Sequence, residues 1–168
     1  MFRYFIPILI IFMSGCEFTV PEVPPGTPIH SASEMVFMHE KTHRKELKAF
    51  LGVDPVQYEW CAAFMNAILK KHDIPGSESV SEYPLMARSF LDWGETVNEP
   101  QIGDILIFSR GNDGWQGHVG FYAGKSGNDY LVLGGNQNDK VSVMKYSGKR
   151  LLGIRRFIPD PDISYKTF

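Results

Sequence analysis

The chain has 168 residues, 43% of them hydrophobic and 13% aromatic, and a formal charge of -2 at pH 7. That balance offers no basic surface, which excludes nucleic acid and electrostatic attachment to an anionic membrane as principal partners. With an apolar N-terminal segment set aside, about 150 residues remain, one domain with enough apolar content for a proper core.

In chain order, residues 1–16 carry one positive charge at Arg3, a short apolar run and the small residues Ser14 and Gly15 before Cys16. The run is too short to cross a bilayer comfortably and has the form of a secretory signal. Met13-Ser14-Gly15-Cys16 resembles the bacterial lipobox, which implies cleavage before Cys16 and lipidation of its thiol. The expected organisation is a signal peptide over 1–15, a lipidated Cys16 with a proline-rich tether over 16–32, a folded domain over 33–158 and a tail over 159–168. Pro21, Pro24, Pro25 and Pro28 should keep the tether extended.

The folded part reads as helices first and strands after. Residues 33–51 mix apolar and charged positions at helical spacing, with Ser33 as N-cap and Gly52 as stop. A second helix opens at Cys61, because Cys61, Phe64, Met65, Ile68 and Leu69 form one apolar stripe. A shorter third helix is expected over 85–93. Beyond Pro100 the period changes to β-rich runs at 104–109, 118–123, 130–133, 141–146 and 151–157, punctuated by Gly, Asn and Asp. Helices followed by closely spaced strands predict an α+β fold with an antiparallel sheet of about five strands.

The chemistry starts from Cys61. If Cys16 takes lipid, Cys61 is an unpaired thiol outside the cytoplasm, and such a thiol is worth attention as a nucleophile. A helix N-terminus favours thiolate, and its free N–H groups, including that of Cys61, can receive an oxyanion, with Tyr58 or Gln57 as helpers. His118 opens a strand and can act as base. Asn136 follows the next strand and can orient the imidazole, completing a Cys-His-Asn triad. Taken singly, each has an ordinary structural role: a helical cysteine packs, a strand histidine hydrogen-bonds, and an asparagine beside Gly134 and Gly135 makes a turn. Order and position together favour catalysis. Trp115 is a candidate groove residue, or a loop-packing one.

Trp60-Cys61-Ala62-Ala63-Phe64, Gly103-Asp104-Ile105, Gly117-His118-Val119-Gly120-Phe121-Tyr122 and Gly134-Gly135-Asn136-Gln137 resemble, in order and spacing, the NlpC-like and CHAP-like cell-wall cysteine hydrolases of the papain-like superfamily. The resemblance implies a papain-like fold and an amide hydrolase acting on peptidoglycan stem peptides or cross-links. It makes Cys61 the nucleophile, His118 the base and Asn136 the orienter, with Asp104 a turn residue and no cofactor or metal. The bond is left open among a stem-peptide amide, a cross-bridge amide and the amide joining glycan to peptide. A monomeric, exported bacterial lipoprotein is expected, held by its lipid to a periplasm-facing membrane or the cell envelope.

Two rivals stand beside this reading. The same fold can serve as a catalytically idle module that binds peptidoglycan or a partner protein. His39-Glu40-Lys41-Thr42-His43 matches the H-E-x-x-H pattern of zinc peptidases, in which a helix sets two imidazoles one turn apart. The density of charge around it, and the lack of a recognisable third ligand, favour a solvated helix face instead.

Overall fold

The computed structural model describes residues 23–159. The expected signal peptide, Cys16, the start of the tether and nearly all of the C-terminal tail lie outside the described residues. Three α-helices come first, α1 (Pro28–Ser33), α2 (Arg44–Leu51) and α3 (Cys61–Lys71). Strands β1 (Glu95–Thr96), β2 (Ile105–Ser109), β3 (Gly117–Ser126), β4 (Asp129–Gly134), β5 (Ser142–Ser147) and β6 (Leu151–Arg156) follow. They form one antiparallel sheet in the order β1-β6-β2-β3-β4-β5, an α+β arrangement as expected from the sequence. The sixth strand is the two-residue β1, whose exposed Glu95 and Thr96 leave no alternation to read.

The core lies between the helices and one face of the sheet. The α3 stripe is buried along its length, with Phe64, Met65 and Ile68 at 0% exposure, against Ile107, Val119 and Phe121. Each such side chain contributes about 1.5–3 kcal/mol of burial free energy. Leu106, Phe108, Val132 and Ile154 form a smaller apolar cluster on the opposite face, covered in part by Tyr122, Tyr130 and Tyr146.

The N-terminal part departs from expectation in two places. The tether does not stay extended to its end: Thr27 caps α1 through its side chain, Pro28 occupies the first turn, and Ile29 and Ala32 enter the core. Proline is well suited to a first helical turn, where its missing N–H costs nothing. Ser33 therefore ends a helix instead of starting one. Residues 34–43 are turns, with Phe37 at φ 76°, and only 44–51 are helical before Gly52 closes α2 in a left-handed conformation. The cause is tertiary pairing. Phe37 N–H donates to Val141 O (2.9 Å), Glu40 N–H to Asp139 O (2.8 Å) and Val141 N–H to Met38 O (3.0 Å), so this stretch adds to the edge of the loop before β5.

The third expected helix is a 3-10 helix over Ala87–Asp92. Its three-residue repeat aligns Ala87, Phe90 and Trp93, all buried, on one face, and Trp93 Nε1 donates to Pro75 O (2.8 Å).

Candidate active site

Cys61 is the first residue of α3, and Trp60 before it supplies no side-chain cap. The first-turn N–H groups are therefore not taken by a capping side chain. Trp60 is fully buried, and its indole Nε1 donates to Glu40 Oε2 (3.1 Å). Its ring lies against the backbone after β4: a Cβ at Gly135 would sit 2.5 Å from Trp60 Cζ3 and 2.8 Å from Phe64 Cβ. The second glycine of Gly134-Gly135 thus allows the strand end to approach the start of α3.

The sulfur faces β3. Tyr122 exchanges main-chain hydrogen bonds with the turn before β2, through Tyr122 N–H to Asp104 O (2.7 Å) and Gly103 N–H to Tyr122 O (3.0 Å). Alternation then directs the N–H groups of Val119 and Phe121 toward β4. The β3–β4 ladder begins only at Phe121 and Leu133, so the Val119 N–H lies beyond it and points to the Cys61 sulfur, as does that of Ala62.

Burial raises the Cys61 thiol above its ordinary range, and the Val119 and Ala62 N–H groups, which favour thiolate, do not offset it. Glu59 pushes in the same direction as burial and Arg110 against it. The expected lowering at a helix start is therefore overturned, because the residue is 4% exposed and loses more hydration than the helix end returns.

His118 opens β3 opposite Phe108 and is also 4% exposed. Its ring stacks on Tyr146, centroids 4.7 Å apart and planes 2° apart. Burial lowers its pKa to about 4; Gln137 acts against this, and the charges of Arg110 and Arg150 add to it. At neutral pH the resting site therefore pairs a thiol with a neutral imidazole. Among the described residues no hydrogen bond joins the sulfur directly to the ring. What links the two groups is β3: its second residue is His118, and the N–H of the next residue, Val119, acts on the Cys61 sulfur.

His118 Nε2 is 3.1 Å from Gln137 Oε1. Gln137 is 2% exposed, and its amide nitrogen donates to Val132 O (3.2 Å) and to Ser142 O. Two carbonyls fix which end of the amide faces the ring, so Oε1 accepts and His118 Nε2 carries the proton. The neutral imidazole then has its lone pair on Nδ1. Asn136 makes no hydrogen bond to His118 among the described residues. At φ 56° it turns outward, and its Nδ2 donates to Glu59 Oε2 (2.8 Å), which also receives the Arg110 guanidinium. The amide that hydrogen-bonds the ring is thus one residue later than the expected Asn136. Gln137 was visible in the Gly-Gly-Asn-Gln motif, but nothing in the sequence says which neighbouring amide points inward.

Two clefts flank these groups and share Arg110. One, about 360 Å³, is lined by Cys61, Glu59, Met86, Arg110 and Trp115, the last 62% exposed. The other, about 340 Å³, is lined by His118, Gln137, Tyr146, Arg110, Lys145 and Arg150. Tyr58 and Gln57 line neither. They belong to a turn whose N–H groups donate to Asp54 O, anchored by the Asp54 ion pairs with Arg44 and Lys48. Tyr58 is 58% exposed there.

His39, Glu40 and His43 lie in turns, not on a helix. His43 Nδ1 accepts from His39 N–H (3.2 Å), His39 Nδ1 from Lys41 N–H (3.1 Å), and Glu40 holds Trp60. Among the described residues no group of three His, Cys, Asp or Glu side chains is placed to hold a metal.

A cysteine opening a buried helix, set against the end of an antiparallel strand whose second residue is a buried histidine, fits the papain-like class of α+β fold. Within that class the chain belongs to the CHAP domain family, whose model matches residues 53–136, half of the chain. CHAP domains are in general hydrolases acting on peptidoglycan. No curated protein matches the chain.

Proposed function

We propose that this chain is a cysteine peptidase or amidase that cleaves an amide bond of peptidoglycan, with Cys61 as nucleophile, His118 as base and Gln137, in place of Asn136, as the group that positions His118. The observation that carries the reading is the direction of the Gln137 amide, which leaves the lone pair of His118 on Nδ1. In the reaction Nδ1 takes the thiol proton as the sulfur attacks the carbonyl carbon. Catalytic hydrogen bonds are commonly loose before substrate binds and tighten in the complex, as this pair requires. The oxyanion is received by the first-turn N–H groups of α3, starting with that of Cys61. Imidazolium then protonates the leaving amine, and water, deprotonated by the same ring, hydrolyses the thioester.

The bond belongs to a stem peptide, a cross-bridge or the glycan–peptide junction. We place the protein in the cell envelope as a lipoprotein anchored through Cys16, where a short tether would raise its concentration beside an immobile wall. The test is digestion of purified sacculi followed by mass spectrometry of muropeptides. Wild-type protein under reducing conditions should release new amines and cleaved muropeptides, and Cys61→Ala should remain folded and release none.

A second reading, a peptidoglycan-binding module with an idle site, is favoured by one observation, the buried neutral thiol without a direct bond to His118. Wild-type protein that binds sacculi but leaves their muropeptides unchanged would establish it.

A further inference from the structure

The two clefts differ in charge, and mechanism assigns them to different halves of a substrate. The sulfur keeps the acyl part and His118 protonates the amine that leaves. If the proposed hydrolysis holds, the cleft containing Cys61 therefore takes the acyl side and the cleft containing His118 the amine side.

The His118 cleft is lined by Arg110, Lys145 and Arg150 and by no carboxylate. Arg150 is fixed there by Nε, which donates to Ser109 O (2.9 Å), and among the described residues it makes no ion pair with an acid. Arg110 is held at the junction of the clefts by Glu59. Both guanidinium groups are close enough for their charge to act on the His118 ring. Arg150, held beside His118 with no acid partner among the described residues, leaves a positive charge there that is complementary to an anion, and a guanidinium suits a planar carboxylate.

We propose that the His118 cleft is a carboxylate subsite, in which Arg150, with Arg110 beside it, binds a free carboxylate on the amine-leaving half of the peptide substrate. The enzyme then prefers amides whose departing residue or its neighbour bears a carboxylate, and loses that preference when the carboxylate is converted to a carboxamide. Arg150 is a specificity residue in this scheme; it takes no proton and touches no reacting atom.

The test uses muropeptides released from purified peptidoglycan by a muramidase, either as they stand or after carbodiimide-driven amidation. Binding to full-length Cys61→Ala protein is measured by calorimetry. Amidation should weaken binding at least tenfold, and adding Arg150→Ala should reduce that ratio to about one. Arg150→Gln retains a donor for Ser109 O and should behave alike, which separates loss of charge from loss of local structure. Equal binding of both forms, no binding of either, or a ratio untouched by both substitutions would overturn the subsite. The hydrolysis reading is scored separately, by cleavage of native muropeptides with wild-type protein. An inactive protein whose Cys61→Ala form still binds with the predicted ratio would retain the subsite and lose the hydrolase.

Discussion

Replacing Gln137 by leucine tests the centre of the proposed mechanism. The side chain is almost fully buried, and leucine approximates its volume without polar atoms. The substitution strands His118 Nε2–H and withdraws a donor from Val132 O and Ser142 O. An unsatisfied buried polar group costs about 1–3 kcal/mol. Because main-chain carbonyls can accept elsewhere, about 2–4 kcal/mol in all is the expected loss, a large share of the roughly 5–15 kcal/mol of a domain. Urea unfolding reads this directly.

Activity falls for a separate reason. Without its acceptor the ring is free to carry the proton on Nδ1, and part of the roughly 10²–10⁴-fold contribution of general base catalysis is lost. Release of dye from labelled sacculi at pH 7, at a temperature where the variant is folded, should fall at least tenfold, with the loss in kcat. Asn136→Gly is the matching control, since glycine accepts the positive φ of that position. It should lose the Glu59 contact and leave kcat within about threefold, a small effect for an exposed contact. Full activity in Gln137→Leu together with a large loss in Asn136→Gly would refute the argument.

The remaining predictions concern the environment of the same groups. His118 is neutral in the folded protein down to about pH 4, whereas the unfolded chain takes up a proton from 6.5 downward. Stability should therefore be fully present above about pH 6.5 and fall toward pH 4, by up to about 3 kcal/mol from this group. Urea midpoints at pH 7 and 4.5 should differ by less in His118→Phe than in wild type, and an equal difference would reject the assignment. The raised thiol predicts slow alkylation of Cys61 by iodoacetamide at pH 7, accelerating above pH 9. A fast rate that stays flat between pH 5 and 8 would instead indicate a resting thiolate–imidazolium pair. Gly135→Ala should cost about 1–3 kcal/mol by driving a Cβ into Trp60 and Phe64, lowering the Tm by several degrees; an unchanged melt would mean that the strand end moves freely.

What could be read in advance was what depends on local period and order. The α3 stripe obeys the helical repeat, and the strand-rich half follows from short β runs between turn residues. Cys61 does open α3, and His118 does lie at the start of β3. The failures share a physical origin in contacts distant along the chain. Residues 34–43 have helical spacing, but the N–H groups of Phe37 and Glu40 and the carbonyl of Met38 are taken by the 139–141 segment. The thiol was expected to be acidic from its helix position, but depth of burial is a property of the packed fold. Asn136 and Gln137 are adjacent amides of similar chemistry, and their opposite directions come from left-handed backbone at 136 and 138.

The bond from Trp60 to Glu40 and the pairing of residues 37–40 with 139–141 also bear on where a working fragment can be cut. The family match covers 53–136, yet Glu40, which pins Trp60, precedes it, and Gln137, β5 and β6 follow it. A fragment trimmed to the matched span would expose the buried Trp60 indole without its acceptor and remove Tyr146 from the His118 ring. Recombinant work, domain grafting and truncation series should therefore keep the span from Val23 to Phe157, both packed against the core, in one piece.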